Sequence, residues 1–204
     1  MPDHDELGAV DNVWFTADTH FHHSKIVWLG RGRPFADVDE MNEAIIDRWN
    51  ERVKRGDRIY FLGDFSFGNR AQTEAVLDRL NGQIHFVRGN HDRGMDRLSS
   101  RFASYQPYKE VKVGGHRLVL FHFPIHSWHK VGQGALHLHG HSHGLLPDDG
   151  MKPRMDVGVD THDFAPWHLD EVLDRLLPRV GWAPGDHHGP EPEAKHSGRP
   201  ETPA

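Results

Sequence analysis

Short apolar runs, each cut off by Gly, Asp, Asn or His, recur along the chain. Val13-Trp14-Phe15-Thr16-Ala17 reads as a buried strand, Ile59-Tyr60-Phe61-Leu62 as a second and Ile84-His85-Phe86-Val87 as a third. Segments of helical period separate them. Pro34 breaks the chain, Asp37 or Asp39 can cap a helix over 38–54, and Met41, Ile45, Trp49 and Val53 form its apolar stripe at fourfold spacing. A second helix from about Arg70 to Leu80 leads into the third strand. The order strand, helix, strand, helix, strand predicts parallel pairing through crossovers. In such sheets ligands gather beyond the carboxyl ends of the strands.

The second half changes character. Tyr108–Val113 and His116–Phe121 flank Gly114-Gly115, a hairpin signal. Strands follow over 135–139 and 154–159, and Pro166 is placed to open a last helix to about Leu177, with Leu169, Leu173, Leu176 and Leu177 apolar. From Pro178 the composition turns to Pro, Gly, Glu and His with little to bury, which predicts disorder. The division expected is a short extension over 1–12, one domain over 13–177 and a tail over 178–204. The tail's His187, His188 and His196 read as solvated rather than as a site.

Composition narrows the chemistry. There is no cysteine among the 204 residues, which excludes disulfides, thiolate metal sites and a cysteine nucleophile. A formal net charge of −6 argues against a broad electrostatic grip on nucleic acid. The acidic start Met1-Pro2-Asp3-His4-Asp5-Glu6 lacks the pattern of a signal peptide, and no apolar run approaches the ~20 residues of a membrane span. A cytoplasmic location is the expectation. The unusual number is 19 histidines, because with thiolates absent histidine and carboxylate become the strong metal ligands left.

Those histidines fall where ligands are expected. Asp18 and His20 follow the first strand, Asp64 the second, and Asn90, His91 and Asp92 the third. His122 ends the second strand of the hairpin, and His141 and His143 follow the next one. Each place alone has an ordinary reading as a turn. Repeated after five apolar runs at corresponding positions, that reading is a poor joint account. Arg31 and Arg33, on the loop before the first helix, are candidates to meet a phosphate. His137 and His139 share the alternation of His141 and His143 but read as packing or supporting groups, and Asp156 and Asp160 as residues that shape the last strand and its loop.

The set Asp18-x-His20, Gly63-Asp64, Gly89-Asn90-His91-Asp92, His122 and Gly140-His141-x-His143, in this order, resembles the calcineurin-like metallophosphoesterase superfamily. The longer phrasing Asp18-Thr19-His20-Phe21-x-His23, Arg33-Pro34-Phe35 and Met155-Asp156-Val157-Gly158-Val159-Asp160 resembles a small single-domain bacterial and phage branch of predicted phosphoesterases. The resemblance implies an α/β fold, a four-layer α/β/β/α sandwich with two mixed sheets. It also implies two divalent metal ions. Asp18, His20 and His143 would hold one ion, Asn90, His122 and His141 the other, and Asp64 would bridge them. Manganese is the first choice, with iron, zinc or cobalt as alternatives, since mixed nitrogen and oxygen ligation suits them better than magnesium or calcium.

The implied reaction is hydrolysis of a phosphodiester or phosphomonoester by in-line attack of a metal-bridging hydroxide, with a nucleotide-type or other small phosphorylated substrate. His91 would donate a proton to the leaving oxygen. Protein phosphatases of the superfamily carry an acid and an arginine just after the bridging Asp, and here Phe67 and Gly68 stand there. Asp92 is then the nearest carboxylate to orient His91, and Arg33 and His23 are the candidates to line the phosphate site. A noncatalytic interaction module and a nuclease acting on nucleic-acid ends are the alternatives.

Overall fold

The computed structural model describes residues 12–28 and 32–182. Arg31, the three tail histidines and most of the expected N-terminal extension lie outside the described residues. The chain folds into two mixed sheets with helices. Strands β1 (Val13–Thr16), β2 (Arg58–Phe61) and β3 (Gln83–Val87) alternate with helices α1 (Val38–Arg52) and α2 (Arg70–Leu77). They pair in parallel, with Thr16 beside Phe61 and Phe61 beside Phe86, so their carboxyl ends fall level. Two short strands complete this sheet. β4 (Ser104–Gln106) pairs parallel to β3, and after the second sheet has formed, the chain's last strand, Trp167–His168, returns antiparallel to β1.

The second sheet runs β5 (Tyr108–Val113), β6 (His116–Phe121), β7 (Leu136–His139) and β8 (Arg154–Asp156); the returning strand is therefore β9. β5 and β6 form the expected hairpin, and β6, β7 and β8 run parallel. β8 stops three residues short of the expected end. The Val157 N–H still reaches the His139 carbonyl, but Gly158 then bridges to Ala17 and the Val159 N–H donates to the Ala17 carbonyl at 3.0 Å. The chain crosses there to the other sheet.

Alternation along the strands builds two cores. One face of the first sheet (Trp14, Ile59, Phe61, Phe86) packs under Met41, Ile45 and Trp49 of α1 and Val76 of α2. The other face (Val13, Phe15, Tyr60, Leu62) meets Leu118, Leu120, Leu136 and Leu138 of the second sheet, which places the sheets face to face. Trp49 is fully buried, and truncating such a side chain to Ala costs about 3–5 kcal/mol. Helix α3 (Leu169–Leu176) sends Leu169, Val172 and Leu176 into the inter-sheet core. The outer face of the second sheet is covered by loop residues Trp128 and Val131 over Val119.

Caps set the helix starts. The Asp37 carboxylate accepts from the Asp39 and Glu40 N–H groups, and Asn69 forms a reciprocal box with Gln72. α2 ends at Leu77, ahead of Leu80, because the following turn is drawn toward α1, where Trp49 Nε1 donates to the Asn81 carbonyl. Pro166 precedes β9, not α3, and His168 caps α3 with Glu171. Past the expected boundary at residue 178, Leu177–Arg179 form a 3-10 turn and Trp182 stacks 6.1 Å from Trp128. Among the described residues no helix is long and apolar enough to cross a membrane.

Candidate metal centre

The loops leaving β1, β2, β3, β6 and β7 converge at one edge, where the two sheets are joined by the Ala17–Gly158 bridge. Their backbones are unusual. Asp18, His20, Asp64, His141 and His143 all have positive φ, between 48° and 68°, a left-handed conformation that L-residues hold only where surrounding structure enforces it. Close approach adds to this: a methyl group at Gly140 would stand 2.5 Å from Asp18 Oδ2, so that loop passes the carboxylate only because Gly lacks a Cβ.

Asp18, His20 and His143 form a first group, with one ligand atom of each within 4.8 Å of the others. Asp18 is fully buried. Its Oδ2 accepts from the His141 N–H at 2.9 Å, while Oδ1 has no hydrogen-bond partner. Burial, with the charges of Asp156 and Asp64, pushes its carboxyl well above the ordinary range. His20 is buried with both ring nitrogens unpartnered, and burial, with the neighbouring His143, drops its pKa to about 2. A buried carboxylate oxygen and a buried neutral imidazole, 3.9 Å apart and both unpartnered, are the donors a cation would satisfy. His143 completes the group, its Nδ1 donating to Asp160 Oδ2 at 2.7 Å.

Asp64, His122 and His141 form the second group on the same criterion. The His122 Nδ1–H donates to the Leu62 carbonyl at 2.7 Å. Its Nε2 then faces two oxygens, Asn90 Oδ1 at 3.0 Å and Asp64 Oδ2 at 3.4 Å. Two acceptors converging on one ring nitrogen mark a place for positive charge. Burial lowers the His122 pKa, but the contact with Asp64 outweighs it and the net shift is upward. Burial likewise opposes ionisation of Asp64, yet His122 holds its carboxyl below the ordinary value. Asp64 Oδ2 also lies 3.8 Å from His20 Nε2, so this carboxylate faces both groups. His141 is exposed at the mouth. All seven residues expected from the sequence meet here.

His91 stands beside them. Its backbone N–H donates to Asp64 Oδ1 at 2.8 Å, and its exposed ring packs 5.0 Å from Phe67 and 5.9 Å from His20. His23 stacks on Phe67 at 3.9 Å, half-buried at the rim.

Two expectations are corrected. Asp92 does not orient His91. Its buried carboxylate accepts from three backbone N–H groups, those of Asp64 (2.9 Å), Phe65 (2.9 Å) and Gly89 (2.6 Å), and so ties the β2 loop to the β3 loop. Nor is Arg33 free to grip phosphate. It is 5 % exposed, and its five N–H donors match five acceptors: both oxygens of Asp160, the Asp18 and Thr19 carbonyls, and Met41 Sδ. Asp160 emerges as the partner of both Arg33 and His143. Burial opposes its ionisation, but His143 and Arg33 outweigh that and hold the carboxyl below its usual range. No local pattern links positions 33, 143 and 160. Of the two supporting candidates on β7, His137 hydrogen-bonds the Val119 carbonyl and His139 the Gly140 carbonyl.

Residues 12–153 match the model of the calcineurin-like phosphoesterase superfamily domain. An uncharacterised protein of Methanocaldococcus jannaschii is 30% identical over 172 residues, covering 81% of this chain and 91% of its own. The gene 66 protein of Mycobacterium phage D29 is 33% identical over 198 residues, covering 82% and 96%. The crystal structure of a protein of unknown function from Aquifex aeolicus aligns with a TM-score of 0.66 at 23% identity, over 80% of this chain and 98% of that one. At that identity the likeness speaks to the fold alone.

Proposed function

The chain belongs to the calcineurin-like phosphoesterase superfamily, and from that premise we propose that it hydrolyses a small phosphoester with the help of two divalent ions. The carrying observation is the pair of ligand groups at one sheet edge, with Asp64 facing both and His91 beside it. Asp18, His20 and His143 would hold one ion, and Asn90, His122 and His141 the other, with Asp64 shared. The unpartnered Asp18 and His20 atoms support this reading. When bound, such ions acidify water and neutralise charge on phosphoryl oxygens. The mixed nitrogen and oxygen donors favour manganese, then iron, zinc or cobalt.

The protein's own groups divide the remaining work. Asp64 Oδ1 holds the His91 backbone, which sets the imidazole at the rim as the group that protonates the leaving oxygen. The rim favours an aryl or nucleotide-type ester. Phe67, 42 % exposed, lies against His23 and His91, and Phe123, 37 % exposed, lies 4.7 Å from His141. Each leaves apolar ring surface exposed at the mouth, against which a planar leaving group can pack.

The test is steady-state hydrolysis of p-nitrophenyl phosphate and bis-p-nitrophenyl phosphate by the manganese-loaded protein. Asp64→Asn is expected to lose metal and turnover together. His91→Ala is expected to keep its metal while turnover falls by ~10²–10⁴-fold. A folded, metal-loaded wild type that turns over neither ester would sink the proposal, and loss of metal from His91→Ala would refute the role given to that residue.

A further inference from the structure

We infer that Asp160, clamped by Arg33, is the positioning residue for one of the two ion sites and not for the other. This rests on reading Asp18, His20 and His143 as cation ligands. His143 faces Asp160 directly. Its Nδ1 lies 2.7 Å from Asp160 Oδ2, and an ionised carboxylate only accepts. The ring proton therefore sits on Nδ1, which leaves Nε2 as the nitrogen with a lone pair to give. A carboxylate behind a ligating histidine fixes the tautomer, aims the ring and raises its basicity.

Asp160 is itself fixed. Arg33 meets it through two parallel bonds, Nε to Oδ1 and Nη2 to Oδ2, both at 2.9 Å, with the guanidinium buried. The rest of the fork reaches the other two ligands through their backbone. Nη2 donates to the Asp18 carbonyl at 2.6 Å and Nη1 to the Thr19 carbonyl at 2.8 Å, the peptide that leads into His20. One ion pair, buried on its Arg33 side, thus touches the backbone under Asp18 and His20 and the ring of His143. None of its hydrogen bonds goes to Asp64, Asn90, His122 or His141.

An ion pair that merely pinned the loop would satisfy itself through Arg33 and Asp160 alone. The bond to the His143 ring adds nothing to that loop, and it is the part that makes the pair specific to a ligand. Selectivity is therefore what distinguishes positioning from general scaffolding. Weakening the pair should degrade one ion equivalent and spare the second.

The experiment titrates manganese into the metal-free full chain by calorimetry, with paramagnetic resonance to separate paired from isolated ions. Asp160→Asn should bind one equivalent as the wild type does and the other ~10–100-fold more weakly. Arg33→Lys, which keeps the charge and loses the fork, should weaken the same equivalent. Nitrogen-15 spectra of the metal-free wild type should show His143 protonated at Nδ1, and Asp160→Asn should lose that preference. Wild-type affinity for both equivalents in Asp160→Asn, or equal weakening of both, overturns the inference. So does an Nε2-protonated His143 in the wild type, a result that stands even where a variant fails to fold. A wild type that binds no ion defeats the cation-site reading instead, and the tautomer still decides whether Asp160 sets the ring.

Discussion

His137 shows why burial of a histidine is not evidence of a site. Its Nδ1–H donates to the Val119 carbonyl at 3.0 Å, and its Nε2 accepts from the Ile125 N–H at 3.3 Å, so the neutral ring is satisfied on both sides. His20, likewise enclosed, has no hydrogen-bond partner for either ring nitrogen. Burial lowers the His137 pKa from 6.5 to about 3. The folded state then stays neutral while the unfolded state takes a proton, so stability falls as pH drops from about 6.5 toward about 3. Gln at this position offers one donor and one acceptor without a titrating ring. Urea midpoints at pH 7 and pH 5 should drop less for His137→Gln than for the wild type. An equal drop in both proteins would show that His137 does not carry this loss.

Elements were legible where pattern and burial coincide, and less so elsewhere. The α1 stripe Met41, Ile45, Trp49, Val53 is wholly buried, and the hairpin pairs Val113 with His116 across Gly114-Gly115. β4 and β9 left no such mark. Ser104-Tyr105-Gln106 has no alternation, and Trp167-His168 is two residues long beside a proline that mimics a helix start. The seven candidate ligands were readable because each follows a strand. The roles of Asp92 and Arg33 were not, because deciding partners lie far off in the chain, Phe65 27 residues from Asp92 and Asp160 127 from Arg33. Asp92 belongs to the joint between the β2 and β3 loops, and that sets a test. Asp92→Ala strips three enclosed N–H groups of their acceptor, at ~1–3 kcal/mol each. Denaturant unfolding should show a loss of roughly 3 kcal/mol or more, with a smaller loss for Asp92→Asn. Unchanged stability with slowed catalysis would restore the expectation that it orients His91.

Across the whole molecule, the candidate ligands are divided between the sheets. Asp18, His20, Asp64 and Asn90 come from the first sheet, and His122, His141 and His143 from the second. Ions held by both halves would tie the sandwich together, and binding to the native state alone stabilises it by mass action, ~2.7 kcal/mol per site at a hundredfold excess over Kd. Chelation of both ions should therefore lower Tm by roughly 10–20 °C, with recovery on adding manganese. A Tm indifferent to chelator would mean that no ion links the halves.

The Ala17–Gly158 bridge lies directly behind this edge, and the His141 N–H donates across it to Asp18 Oδ2. Stitched at that seam, the two sheets are pinned together directly behind the site. Selection among guests would fall to the shape of the doorway at Phe67 and Phe123. Remodelling the doorway should then change which esters are admitted while the machinery beneath keeps its form.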